Sequence, residues 1–281
     1  MIKVVKAPAL MWDPRIKRVA WRDLIALTWR ETLKELIHPL PWLTVSLAAA
    51  GLGWLPLALL GSFMFFLTGL RQIHDAYHSA LGLPRWANHA VMLVQSVLMM
   101  NAMHAVRWNH LRHHRLCLAE GDVEADSAKM SAAGALLYGP IFPLHLIGTA
   151  LRLGDADTKR WVALELGAMA AWGGLVFGVF DFWPLQYHAL AMLAGECFTA
   201  FFCVWTVHHD CPREETMART SRWGLANAVF YGMFFHIEHH VFPAVPTCHL
   251  PQLAKRLDRA WPRLAASKVF AVPQRKQLLG I

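Results

Sequence analysis

The sequence predicts an all-α integral membrane protein, with four transmembrane helices in two hairpins and a helical cap on the cytoplasmic side. Three features of its composition support this prediction. Hydrophobic residues make up 56% of the 281 residues and charged residues only 16%, against about 25% charged residues in a soluble domain. The 13 tryptophans suit a membrane protein, because indole rings favour the membrane–water interface. The 16 histidines exceed what packing in a bilayer requires.

Two long apolar stretches are each predicted to form a helical hairpin. The first, residues 37–78, has Gly53 and Pro56 near its middle, where turn formers would place a tight outer loop. The second, residues 161–207, is interrupted at Asp181–Pro184. Both stretches are longer than the roughly 20 residues that one crossing needs, so each is expected to cross twice.

The region between the hairpins, residues 79–160, is predicted to stay on the cytoplasmic side or at the interface. Trp86–Val106 is expected to form a membrane-surface helix, because it directly joins two groups of histidines. Ala132–Leu151 is apolar enough to cross, but Pro140 and Pro143 interrupt it. We expect this segment to be re-entrant or interfacial.

The distribution of Lys and Arg sets the predicted orientation. Many occur in residues 1–36, 79–160 and 208–281, whereas the two outer turns contain none. By the positive-inside rule these three segments are cytoplasmic, and both termini lie on that side of a single membrane domain. The same surplus accounts for the net charge of +8, and no nucleic-acid-binding motif appears. We expect no signal peptide and a bacterial inner-membrane location.

The histidines are concentrated in spaced groups. HDAYH places two imidazoles four residues apart on one helix face, NHLRHH and HIEHH each contain an HxxHH box, and an HH pair ends the second hairpin. An isolated histidine is usually a surface or hydrogen-bonded residue, which is how we interpret most of the others; His104, near the second group, is a weaker candidate. The repeated spacing predicts a metal site in the cytoplasmic cap.

The number of histidines favours two metal ions. Imidazole binds Zn, Cu, Fe and Ni, but eight or nine nitrogen ligands exceed one tetrahedral zinc site and match two ions with open positions. Beside apolar helices, such a site points to oxygen chemistry on a lipid-like substrate. Because attack on an unactivated C–H bond needs a redox-active metal, iron is the economical choice.

At these residues the chain resembles the membrane fatty acid desaturase superfamily, which includes hydroxylases and carotenoid ketolases. The resemblance covers most of the chain from Pro41 to about Leu257. It is carried by HDAYH at His74–His78, NHLRHH at Asn109–His114, VHHD at Val207–Asp210 and HIEHHVFPAVP at His236–Pro246. It implies a four-span fold, a di-iron centre with O2 as co-substrate, and electrons from a ferredoxin- or cytochrome-type donor. No HPGG-type cytochrome b5 motif is present, so we expect the donor to be a separate protein.

The resemblance also implies nine iron ligands, with His209 as the alternative for the position of His208. The implied ligands are His74, His78, His110, His113, His114, His208, His236, His239 and His240. Metal-bound imidazoles usually donate their other N–H to a carboxylate or carbonyl. The candidates for supporting these rings are Asp75, Asp122, Asp126, His209, Asp210 and Glu238. Two further features are Glu196, an acid inside the last predicted span, and Pro251–Leu264, which has the pattern of an amphipathic membrane-surface helix.

The predicted function is O2-dependent oxidation of an aliphatic chain, with introduction of a double bond into a fatty acyl lipid. HIEHHVFPAVP favours acyl chains, whereas HDAYH is also compatible with a carotenoid or other hydrocarbon hydroxylase or ketolase, which remains an alternative. A non-catalytic haem- or metal-handling membrane protein is the alternative from another class. Haem ligation predicts isolated histidines inside spans, whereas these cluster at span ends and in loops.

Overall fold

The computed structural model describes residues 9–213, 216–262, 264 and 269. Every regular element in these ranges is helical. The α-helices are α1 (Pro14–Lys17), α2 (Trp29–Ile37), α3 (Leu40–Gly51), α4 (Leu55–Tyr77), α5 (Arg85–Met99), α6 (Met103–Leu116), α7 (Ala132–Tyr138), α8 (Phe142–Leu153), α9 (Ala156–Gly178), α10 (Trp183–Glu196), α11 (Thr206–His208), α12 (Gly224–Val229), α13 (His236–Val241) and α14 (Leu250–Ala260). A π-helical stretch, Ala200–Trp205, joins α10 to α11, and Glu124–Lys129 forms a short 3-10 helix.

The first apolar stretch folds into α3 and α4, joined by a tight turn as the turn formers predicted. Gly53 adopts φ +74° in this turn, a conformation that favours glycine. The 23 residues of α4 rise about 35 Å at 1.5 Å per residue, enough to cross the hydrocarbon core. The 12 residues of α3 rise only about 18 Å, so α3 alone is short for a full crossing.

The region predicted as one surface helix, Trp86–Val106, is two helices, so the prediction of a single helix is wrong, while its location at the membrane surface stays a prediction. Helix α5 ends at Met99, Met100 takes a left-handed φ of 57°, and α6 leaves at 114° to α5. The following Asn101 donates a hydrogen bond from Nδ2 to Oε2 of Glu196 (2.7 Å). The bend directs α6, which carries the second histidine box, away from α5.

Two other apolar segments are also broken. Helices α7 and α8, which cover the predicted re-entrant segment, meet at 63°. Helix α10 and the stretch Ala200–His208 meet at 42°. By length and composition, α4 and α9 can each cross a membrane, and the described residues offer up to five candidate spans if each bent pair counts as one. Large apolar side chains are exposed on these helices, for example Leu60 on α4 and Phe177 on α9, as expected for surfaces that face lipid.

Helix α14 belongs to the core of the part of the chain formed by the described residues of 9–37 and 209–264, which we call the cap. Leu253 and Leu257 are fully buried and pack in one cluster with Leu10, Ile16 and Ile237. The apolar face of α14 is therefore covered by other parts of the chain and is not free to dock on a membrane surface, so that prediction is wrong. An amphipathic pattern specifies that one face is buried but does not specify what buries it.

A buried ion pair links α4 to the cap. Arg71 donates from Nε to Oε2 of Glu35 on α2 (2.8 Å), and its Nη1 donates to the carbonyl oxygen of Tyr231 (2.6 Å). Both charged side chains are almost completely buried, so each needs the other to offset the loss of solvation. The pair lies one helical turn before His74 and helps to hold that end of α4 in place.

We expect Gly61→Val to destabilise the first hairpin. A Cβ atom at Gly61 would lie 2.7 Å from the backbone nitrogen of Ser46 on α3, so the helices would have to separate, at a cost of about 2 kcal/mol. The melting temperature of the purified protein in detergent should fall by several degrees. Gly173→Val on α9 is the matched control, because a Cβ there meets no described atom within 4 Å. Equal melting temperatures for the two variants would contradict this packing.

Candidate metal centre

The histidine boxes meet at one end of the helical bundle. The first box lies at the end of α4, the second on α6, the third on α13, and His208 ends α11. Seven of the nine rings named from the sequence are buried, and His78 and His114 are partly exposed. Segments far apart in sequence thus place nine imidazoles in one cluster, which divides into two groups.

The first group contains five histidines. His74, His78, His110 and His239 each offer one ring nitrogen, and these atoms lie within 4.8 Å of one another. His114 adjoins them, with Nε2 at 3.1 Å from Nε2 of His110 and at 2.9 Å from Nε2 of His239. Histidines from α4, α6 and α13 contribute to this group.

The second group contains four histidines. His113, His208 and His240 place one ring nitrogen each within 4.8 Å of one another. Nε2 of His236 lies 2.9 Å from Nε2 of His208 and 3.1 Å from Nε2 of His240. The structure therefore brings in His208 from the pair that follows the second hairpin.

These nitrogen atoms fit metal binding better than mutual hydrogen bonding. A hydrogen bond between two Nε2 atoms needs a proton on one of them and a lone pair on the other. Several of these atoms have two Nε2 neighbours, so one proton per atom cannot satisfy every contact. Both ring nitrogens of His74 are buried and have no hydrogen-bond partner among the described residues. Burial, followed by neighbouring imidazoles, holds the pKa of His236, His239 and His240 well below the usual value. Neutral rings offer lone pairs to a metal.

In three rings, Nδ1, the nitrogen that does not face the other histidines, has a hydrogen-bond partner. Nδ1 of His113 lies 2.8 Å from Oδ2 of Asp122, and Nδ1 of His110 lies 2.8 Å from Oε1 of Glu124. Nδ1 of His208 donates to the carbonyl oxygen of Met217 (2.8 Å). These contacts favour the proton on Nδ1 and leave Nε2 free as a ligand.

Glu124 was missed by the sequence analysis, which named its neighbours Asp122 and Asp126. The only signal was its place between two acids after the second box. Asp126 instead pairs with Lys129 at the surface (3.3 Å), and Asp210 is exposed. Which acid of such a loop faces a ring depends on the 3-10 turn, which spacing alone does not predict.

Two of the predicted supporting acids fasten the boxes to the cap. Asp75 accepts a hydrogen bond from the hydroxyl of Thr247 (2.7 Å). Glu238 is fully buried and accepts from Thr220 (2.7 Å) and Arg222 (2.6 Å). These contacts hold α4 and α13 in position rather than orienting a ring of the cluster directly.

Two further histidines lie outside both groups. The ring of His209 stacks on Trp205 with centroids 3.8 Å apart, and its Nδ1 donates to the carbonyl oxygen of Trp205 (2.7 Å). Nδ1 of His104 lies 2.6 Å from Oε1 of Glu165, and its Nε2 lies 2.7 Å from Nδ1 of His89. Hydrogen bonds and stacking therefore account for both rings without a metal.

An apolar cavity of about 420 Å³ reaches the histidine cluster. It is lined by His74, His110, His208 and His236 and by many apolar side chains, among them Phe66 and Met192. Its volume is in the range of small-molecule binding sites. The arrangement can place an apolar chain against the open side of the two imidazole groups.

Helical, apolar segments that meet a cluster of imidazoles beside an apolar cavity are features of a membrane-type protein that could hold metal. Most of the chain, residues 49–270, matches the profile of the fatty acid desaturase family. The protein belongs to this family, which confirms the predicted resemblance and implies an oxidoreductase with a lipid substrate. Among curated proteins, none gives a significant match to the chain.

We expect replacement of one ligand in either group to lower the metal content. His239→Ala removes a ring from the first group and His113→Ala removes one from the second, so each variant should lose about one of two metal ions per chain. Elemental analysis of the purified protein measures this. His209→Ala is the matched control and should keep the full content. Metal loss in His209→Ala but not in His113→Ala would show that the groups are assigned wrongly.

Proposed function

We propose that the protein is an O2-dependent di-iron oxidoreductase that introduces a double bond into a fatty acyl chain. The observation that carries the proposal is the opening of two imidazole groups onto an apolar cavity. The cluster can hold metal, the cavity suits a hydrocarbon chain, and membership of the fatty acid desaturase family supports both.

Iron is the metal that best suits this site. The five-histidine group would hold one ion and the four-histidine group the other. Ligation by so many neutral imidazoles leaves few carboxylates to favour hard cations such as Mg²⁺. When bound, iron would supply the redox chemistry that lets O2 oxidise an unactivated C–H bond.

The chain's own residues would position the substrate and exclude water. Phe66, Met192 and other apolar side chains bury the hydrocarbon, while Asp122 and Glu124 keep their rings in one orientation. Desaturation and hydroxylation both begin with removal of a hydrogen atom, so substrate placement decides between them. A carotenoid or other hydrocarbon hydroxylase or ketolase is the alternative within this chemistry.

We also propose a four-span topology with the histidine cluster on the cytoplasmic side. Helices α3, α4, α9 and α10 with its π-helical extension would form the spans, and the bent pair α7–α8 would enter and leave on the same side. The surplus of Lys and Arg outside the hairpins supports this orientation. Electrons would come from a separate ferredoxin- or cytochrome-type protein on that side.

The di-iron proposal predicts about two iron ions per purified chain and new double bonds in the lipids of cells that produce it. The measurements are elemental analysis and mass spectrometry of lipid extracts. His113→Ala and His239→Ala should abolish the lipid change while the protein still inserts. Zinc alone, with no iron after reconstitution, would contradict the oxygen chemistry and favour a metal-handling protein.

The topology predicts that Lys129 and Lys159, on either side of the α7–α8 pair, lie on the same face of the membrane. Cysteine placed at either position in a cysteine-free background should react with a membrane-impermeant thiol reagent from the cytoplasmic side. Reaction from opposite sides would mean that α7–α8 crosses the membrane.

A further inference from the structure

Two unpartnered oxygen atoms lie at the wall of the apolar cavity. Asn101 and Glu196 both line this cavity and are 5% and 4% exposed. Nδ2 of Asn101 donates to Oε2 of Glu196 (2.7 Å). Oδ1 of Asn101 and Oε1 of Glu196 have no hydrogen-bond partner among the described residues.

The hydrogen bond between the two side chains fixes which atoms are unpartnered. A carboxyl group this buried, with no cation beside it among the described residues, is neutral, so its free oxygen Oε1 carries a proton while Oε2 accepts from Asn101. The pair therefore presents one acceptor, Oδ1 of Asn101, and one donor, the acid O–H of Glu196, both without a partner among the described residues. Buried polar groups in an apolar setting cost free energy unless they are hydrogen-bonded, so a ligand that supplies both a donor and an acceptor is strongly favoured.

Other polar groups of the cavity are already satisfied or belong to the metal centre. The Ser62 hydroxyl contacts the hydroxyls of Ser46 (2.8 Å) and Tyr187 (3.0 Å). Unpartnered atoms also occur on His74, a ring of the histidine cluster, and on Glu124, whose other oxygen contacts His110 of that cluster. The unpartnered atoms of Asn101 and Glu196 belong to a pair bonded to each other and not to a ring of the cluster.

We propose that the cavity accepts a hydrocarbon chain that carries a hydroxyl group, and that this hydroxyl donates to Oδ1 of Asn101 and accepts from the acid O–H of Glu196. This narrows the substrate class of the proposed function and rests on it. A carboxylate, ester or ketone supplies acceptors only and would leave Oδ1 of Asn101 without a donor. An ammonium group would bring a strongly hydrated charge into an apolar wall. A hydroxyl supplies both a donor and an acceptor without a charge.

The two residues act as specificity determinants and not as ligands of the metal. Asn101 stands at the bend between α5 and α6, and Glu196 ends α10 where the π-helical stretch toward His208 begins. A hydroxyl held there would fix the register of the chain relative to both imidazole groups. Register is what selects the carbon to be oxidised.

The test compares retention of hexadecane and its positional alcohols by the full-length protein in phosphatidylcholine nanodiscs. Mass spectrometry measures the bound amount, with empty nanodiscs as background. At least one alcohol should be retained about tenfold more than hexadecane, since a site built to bond a hydroxyl rejects the analogue that lacks it. Equal retention of every alcohol and the alkane would overturn the proposal, and would mean that water satisfies the two oxygens.

Variants separate recognition from a merely structural role. Glu196→Met and Asn101→Leu each remove one of the two groups and should bring the ratio of alcohol to alkane to about one. Glu196→Gln keeps an oxygen for Asn101 and presents an N–H donor to the cavity in place of the acid O–H, so it should keep the alcohol preference. Ser62→Ala is the control, because its hydroxyl is bonded within the protein, and it should also keep that preference. An alcohol preference that survives both Glu196→Met and Asn101→Leu would refute the assignment.

The binding test and the activity test can give opposite outcomes, so the two proposals can be refuted independently. Selective retention of an alcohol that is never oxidised would refute the proposed oxidase and leave the recognition site standing. Desaturation of unsubstituted acyl chains, with no preference for alcohols in the nanodiscs, would refute the recognition site and leave the oxidase standing. Metal content of each variant shows whether the cluster has stayed intact.

Discussion

The convergence of nine imidazoles is the constraint on which the rest of the structure depends. Rings whose Nε2 atoms lie about 3 Å apart cannot all be satisfied by one another, because each contact uses a single proton. Their burial lowers the pKa of the rings on α13 and keeps them neutral. The cluster is therefore arranged to bind metal, and the helices around it are arranged to hold the cluster.

The breaks in the helices serve this arrangement. The left-handed Met100 turns the chain so that α6 lies beside the end of α4, and the π-helical stretch after α10 leads to His208. Pi-helical turns often occur at functional sites. The buried contacts of Arg71, Asp75 and Glu238 then attach the boxes to the cap. An apolar chain in the cavity would meet the open side of both groups without exposure to water, and the pair of Asn101 and Glu196 would set its position.

The apolar hairpins, their turns and the histidine boxes could be predicted from the sequence because each is a local pattern. Turn formers mark a break in an apolar run, and an HxxHH spacing places rings on one face of a helix whatever surrounds them. The family profile over residues 49–270 supports the same reading of the boxes. The bend at Met100 has no such local signal, and the contact beside it joins Asn101 to Glu196 on a helix 95 residues away.

The sequence by itself determined the class of protein and the residues available to a metal, since composition and spacing carry both. Tertiary structure alone decided the division of the rings into two groups and the position of His208, rather than His209, beside them. It also decided that Glu124 faces His110 while Asp126 faces solvent, and that the apolar side of α14 is covered by the cap. These outcomes depend on which distant segments pack together, and one-dimensional spacing contains no distance between segments.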